Sequence, residues 1–187
     1  MSGTAYTFDK TVLIKDFLTF IDHPVNNEKS FELLNGYITL MASPSLNHQR
    51  ISLYIARKIG NYLEGNKKCE VLQDFNLFLN DKNVFRPDIM VVCDKSKLSS
   101  RGYKGIPELI IEIISKSTKN NDYHTKCSAY MKHGVKEYWL VDRLTNQILV
   151  YASKSNIVRR YTFEDKIDIK SFKDLTIDFT EISEILK

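Results

Sequence analysis

The 187-residue chain has no long apolar run. Its longest stretches are short, and one of them, LIIEIIS at 109–115, contains a carboxylate. A membrane-spanning helix needs about 18 or more apolar residues, so no membrane partner is expected. The opening MSGTAYTFDKTV lacks the basic start and apolar core of a signal peptide, and a cytoplasmic location is expected. Cysteine is scarce. Cys69, Cys93 and Cys127 are odd in number and scattered, which suits reduced thiols better than a disulfide framework. No CxxC pair exists, which argues against structural zinc, and the H-x-x-C of His124 and Cys127 has no second pair to complete it. A glycine-rich phosphate loop is missing too, since Gly102 and Gly105 in RGYKG lack its spacing. Ser43, Ser115 and Ser117 have no base partner in the pattern, which argues against a serine hydrolase. No repeat, low-complexity tract or Pro/Ser-rich linker divides the chain, so residues 1–187 read as one domain.

What is present is ordinary for a globular protein: 43% hydrophobic and 27% charged residues, enough apolar surface to exclude long disorder. Periodicity predicts a short helix over 9–21, then a hairpin in FELLNGYITLM with its turn at Asn35-Gly36. Ser45 is a good N-cap for a helix running to about Glu64, with Ile51, Ile55, Ile59 and Tyr62 as its apolar stripe and His48 at the head. Residues 70–79 and 84–93 read as two paired strands turning at NDKN. Pro87 inside the second marks either a sheet edge or an irregular start. ELIIEII at 108–114 reads as a central strand covered on both faces. A helix at about 123–133, a hairpin over 136–152, later short strands and a small helix near 181–186 complete an α/β or α+β sandwich around a central mixed sheet flanked by helices, with additional β-hairpins.

Three charges in this pattern look costly. Asp88 opens the run IMVV directly after Pro87. Glu112 interrupts an apolar strand. Lys126 shares a helix with Tyr123, Cys127 and Tyr130, each one turn or less away. An unpaired charge in a core costs several kcal/mol (an order of magnitude), so each needs a partner, a metal or a cleft. Two readings follow. Glu112 and Lys126 form a structural ion pair, or carboxylates on adjacent strands form a hard-metal site with an ammonium beside it to orient water.

The order Pro87-Asp88, Glu112, lysine resembles the PD-(D/E)XK nuclease signature, with one departure. The usual lysine position, two residues after the glutamate, holds Ile114, and the lysine has moved to the next helix as Lys126. That variant resembles the Uma (Uma-two) family of restriction-endonuclease-like proteins. FELLNG, MASPSLNHQRIS, FRPDIMVV, GIPELIIEIISKST and DYHTKCSAYMKHGVKEYWLVD are similar, in order, to five blocks of that family. Asn35 stands where the family has Asp, and Lys116 where it has Pro.

The resemblance implies a restriction-endonuclease-like fold and a Mg²⁺-dependent DNA endonuclease, with Mn²⁺ as a substitute ion. Asp88 and Glu112 would be the metal carboxylates, with the Ile113 carbonyl as a further ligand. Lys126 would position water or stabilise phosphate charge. Glu32 would complete the metal site or hold Lys126, with His48 and Asp122 in support. Double-stranded DNA is the expected partner, cut by a homodimer. Two other classes stay open: a silent nucleic-acid-binding or regulatory protein that keeps the fold, and a hydrolase of small phosphodiesters.

The formal charge is +4, and residues 95–119 account for it. They hold six bases (Lys95, Lys97, Arg101, Lys104, Lys116 and Lys119) against Glu108 and Glu112, while the remaining charges balance. This segment reads as either a solvated loop or a phosphate-tracking rim beside the metal.

Overall fold

The computed structural model describes residues 11–65, 68–115, 119–153, 155 and 157–186. The first helix, α1, covers Ile14–Ile21. The hairpin follows as β1 (Phe31–Leu34) and β2 (Tyr37–Leu40). Asn35 and Gly36 both take positive φ, 50° and 87°, as a two-residue hairpin turn requires. Helix α2 (Leu46–Leu63) starts at Ser45, whose hydroxyl accepts from the His48 N–H.

The expected pair of strands at 70–93 is a longer construction. It divides into β3 (Glu70–Gln73), β4 (Leu77–Asn80), β5 (Asn83–Phe85) and β6 (Ile89–Val92). The inner strands β4 and β5 pair with each other, and the outer strands β3 and β6 pair with each other, but in different sheets. The ribbon therefore breaks twice, around Asp74 at φ 49° and around Arg86-Pro87-Asp88. Pro87 cannot donate to a ladder, which suits it to the second break. It marks an irregular start, not an edge, because β6 lies between β3 and the strand Leu109–Ile113.

The remaining elements are β7 (Leu98–Ser99), β8 (Gly102–Tyr103), β9 (Leu109–Ile113), α3 (Cys127–Lys132), β10 (Glu137–Asp142), β11 (Gln147–Ala152), β12 (Arg159–Tyr161), β13 (Lys166–Asp168), β14 (Thr176–Asp178) and α4 (Phe179–Ile185). Among the described residues, one six-stranded sheet runs β2-β1-β5-β4-β8-β7 and another runs β12-β11-β10-β9-β6-β3, with β13-β14 apart. In the second sheet β9 and β10 are parallel, and the crossover between them carries α3. This is the mixed α+β architecture expected. No described helix is long and apolar enough to cross a membrane.

Alternation in the second sheet decides where Glu112 points. Ile89, Val91, Leu109, Ile111, Ile113, Trp139 and Val141 pack on the face toward α2 and α4. Met90, Val92, Ile110, Tyr138 and Leu140 pack on the other face, with Tyr130 and residues of the first sheet. Glu112 follows the even-numbered set.

Register also corrects the thiol reading. Glu70 faces Val92 in the antiparallel β3–β6 ladder, so the next residues out, Cys69 and Cys93, face each other and form a disulfide. Cys127 alone is free, and buried. Scatter in sequence says nothing about partners across a ladder, and the thiol argument for a reducing compartment falls away.

Candidate active site

Four segments deliver charge to one place. Glu32 comes from β1, Asp88 from the break before β6, and Glu112 from near the carboxyl end of β9. Asp122 and Lys126 come from the first turns of the crossover helix. Those turns, Asn121–Lys126, are π-helical and run into α3. Such wide turns are frequent at functional sites. Asp122, Lys126 and Tyr130 are each four apart, so they share a face.

Lys126 is 2% exposed, Glu112 3%, Asp122 1% and Glu32 5%. The Lys126 Nζ lies 2.8 Å from Glu32 Oε1, 3.2 Å from Glu112 Oε1 and 3.3 Å from Asp122 Oδ1. Three carboxylates thus surround one ammonium, Asp122 Oδ1 by charge and not by a hydrogen bond. The Tyr130 hydroxyl donates to Glu112 Oε1 at 3.0 Å. Glu32 Oε1 also accepts the Arg86 backbone N–H at 2.8 Å, so one carboxylate ties Lys126 to the chain just before Asp88.

Asp88 sits at the rim of this cluster. Its Oδ2 accepts the Ile113 N–H at 2.6 Å, and its Oδ1 lies 2.9 Å from His48 Nε2. The Asp88 N–H points to Glu112 Oε2 at 3.4 Å, so the two carboxylates are neighbours. Asp88, Glu112, Ile113, His48, Asp122 and Lys126 all line one open cavity of about 380 Å³. Glu32 does not line it and contacts Lys126 and the Arg86 N–H behind it.

Charge is out of balance here. Three buried carboxylates surround one ammonium, and a fourth, Asp88, has only an imidazole beside it. Burial pushes Glu112 well above the ordinary carboxylate range; Lys126 opposes this, while Asp122, Asp88 and Glu32 reinforce it. Burial alone would lower Lys126, but Glu112, Glu32 and Asp122 outweigh it and hold the ammonium charged. Burial would lower His48 as well, yet the hydrogen bond and charge of Asp88 carry it above the ordinary imidazole value.

The donor set suits a hard divalent cation. Its atoms are oxygens, its charge is in negative excess, and it opens to solvent. Among the described residues no three His, Cys, Asp or Glu side chains already converge as a cage. Two neighbouring carboxylates at an open cavity suit an ion that keeps several waters better than a caged zinc.

A model of the Uma2 family, described as "Putative restriction endonuclease", matches residues 15–180. The chain belongs to this family. A crystal structure from Anabaena variabilis, titled as a putative nuclease belonging to DUF820, superposes with a TM-score of 0.79. It shares 18% identity and covers 94% of this chain and 99% of that one, a likeness of fold. The Synechocystis protein slr1290, itself uncharacterized, is 28% identical over 146 residues, 75% of this chain and 76% of that one. Uma2 membership supports a nuclease-like function with a nucleic-acid substrate.

The basic segment does not ring the cavity. None of Lys95, Lys97, Arg101, Lys104 and Lys119 lines it. Lys95 lies 3.7 Å from Glu70, Lys97 3.3 Å from Asp94, Arg101 2.7 Å from Asp22 and Lys119 3.1 Å from Asp142, while Lys104 sits over the Phe78 ring. Lys116 lies outside the described residues. Four of these six bases, Lys95, Lys97, Arg101 and Lys119, are thus each paired with an acid outside 95–119.

Sequence reasoning missed two members. Tyr130 had a signal, since it lies one turn beyond Lys126. Asp74, which lines the cavity, had none, because only the break between β3 and β4 brings it there.

Proposed function

We propose that this Uma2 protein is a metal-dependent endonuclease of double-stranded DNA. The observation that carries the reading is the negative excess at an open cavity: Glu112 buried and short of positive charge, with Asp88 next to it. Asp88, Glu112 and the Ile113 carbonyl would hold Mg²⁺ or Mn²⁺. When bound there, the ion supplies positive charge to the phosphate and favours ionisation of a water.

The chain's own groups do the rest. Lys126, kept charged by its acids, donates to a phosphate oxygen where negative charge grows. Glu32 and Asp122 hold that ammonium in place. Tyr130 fixes one oxygen of Glu112 and leaves the other toward Asp88. His48 and the Ile113 N–H fix both oxygens of Asp88. A homodimer would present two such sites to the two strands.

One observation favours a silent binding protein instead: three carboxylates already surround the Lys126 ammonium. Nicking of supercoiled plasmid with Mg²⁺ or Mn²⁺ decides between them. The wild type should nick, and Asp88→Ala and Lys126→Ala should not. Activity surviving both substitutions would sink the assignment. DNA binding without cutting of any DNA or RNA would establish the silent reading.

A further inference from the structure

Next to the main cavity lies a second cleft of about 230 Å³, and Asp74 lines both. Arg86 and Arg101 line the second cleft, with Asp22, Asn76 and Ser100. Arg86 stands two residues before Asp88 in the chain. Its Nε is buried and, among the described residues, has no hydrogen-bond acceptor. The nearby Asp74 Oδ1 lies 3.9 Å away, beyond hydrogen-bond distance. A buried donor left unmatched asks for an acceptor from outside.

Arg101 reaches the cleft from the tight turn between β7 and β8. That turn is held close to the preceding hairpin. A Cβ on Gly102 would come within 2.4 Å of the Phe78 ring and 2.5 Å of the Asn76 carbonyl. The Asn76 side chain also donates to the Arg101 carbonyl at 3.0 Å. The Arg101 guanidinium lies 2.7 Å from Asp22, but both side chains are more than half exposed. Exposed pairs of this kind contribute little, so a phosphate can displace Asp22.

We infer that Arg86 and Arg101 form a seat for a backbone phosphate of the nucleic acid, on the strand that enters the cavity. This rests on the nuclease reading and extends it to how the substrate is held. Planar guanidinium forks match phosphate oxygens in pairs, which a lysine cannot do. Binding at this seat positions the strand and carries no base specificity.

The test is binding of a short labelled DNA duplex in Ca²⁺, followed by anisotropy over a series of salt concentrations. Arg86→Ala and Arg101→Ala should each weaken binding roughly tenfold, the size of one charge-assisted contact. Each should lower the salt slope by about 1. Arg86→Lys, which keeps the charge and loses the fork, should fall between. If Arg86→Ala does not fold, Arg86→Lys and Arg101→Ala carry the test. Asp22→Asn, which removes the competing carboxylate, should bind at least as tightly as wild type. Wild-type binding with unchanged slopes in both arginine variants, or a loss of binding in Asp22→Asn, overturns the seat and leaves the nuclease reading standing. Failure of the wild type to bind any duplex overturns both.

Discussion

Two buried carboxylates sit near the carboxyl ends of adjacent parallel strands and differ in charge balance. Asp142 ends β10 and is fully buried. Its Oδ2 accepts from Lys119 and from the Tyr123 hydroxyl, both at 3.1 Å. Its Oδ1 accepts the Leu144 and Thr145 N–H groups at 2.9 and 3.2 Å. Burial works against its ionisation, but the donors, Lys119 first, hold it below the ordinary carboxylate value. Glu112, next door on β9, shares one lysine with Glu32 and Asp122 and is pushed up. Asp142 is satisfied and serves the turn. Glu112 is starved of positive charge and opens on a cavity. Placement at a strand end does not distinguish these two acids, but charge balance does.

The largest test breaks the starved cluster itself. Lys126→Met leaves three carboxylates buried without their ammonium and should cost about 3–5 kcal/mol in urea unfolding, with nicking abolished. A cost below about 1 kcal/mol would mean that the cluster is already neutral.

Next come Glu112→Gln and Asp142→Asn, which should separate the two acids. Glu112→Gln should lower nicking by at least about a hundredfold and change stability by less than about 1 kcal/mol, since it removes a charge the site struggles to hold. Asp142→Asn should cost about 1–3 kcal/mol, because it weakens four hydrogen bonds at one buried carboxylate. Equal stability losses in both would erase the contrast.

A smaller effect is ligand stabilisation. Millimolar Mg²⁺ or Ca²⁺ should raise the wild-type melting temperature by a few degrees, through preferential binding to the folded state. Differential scanning calorimetry should find that shift intact in Asp142→Asn and missing in Glu112→Gln. A shift that persists in Glu112→Gln would place the ion elsewhere.

The smallest effect is in pH. Asp142 has a folded pKa below its unfolded one, so its contribution is present above the ordinary carboxylate range and lost as pH falls through the folded value. Glu112 has a folded pKa above its unfolded one. Its protonated form is favoured by folding, so stability declines as pH rises from the ordinary carboxylate range toward the folded value. Glu112→Gln should flatten the upper limb and Asp142→Asn the lower limb of a stability–pH curve measured by denaturant titration. Unchanged limbs would remove both acids from the account.

Much of this site was readable along the chain because its parts are local. Asp122, Lys126 and Tyr130 lie at helical spacing, so one face was implied before any fold was known. Glu112 stood out because a carboxylate within an apolar strand must be matched, and Pro87 told where regular pairing stops. The turn at Asn35-Gly36 was legible for the same reason, since few residues accept its backbone angles. Glu32 was harder. Nothing near it in sequence says that it meets Lys126, 94 positions away, and only the family pattern pointed to it.

The sequence alone determined most helices and hairpins, the family and the residues whose charges need company, because periodicity, capping and burial cost act over a few residues. Tertiary structure decided which company they keep. It split the 70–93 ribbon between two sheets, joined Cys69 to Cys93, brought Asp74 and Arg86 beside the cavity, and paired Arg101 and Lys119 with distant acids. Each of these depends on register and on where a strand bends, and such long-range pairings leave no periodic trace in the chain.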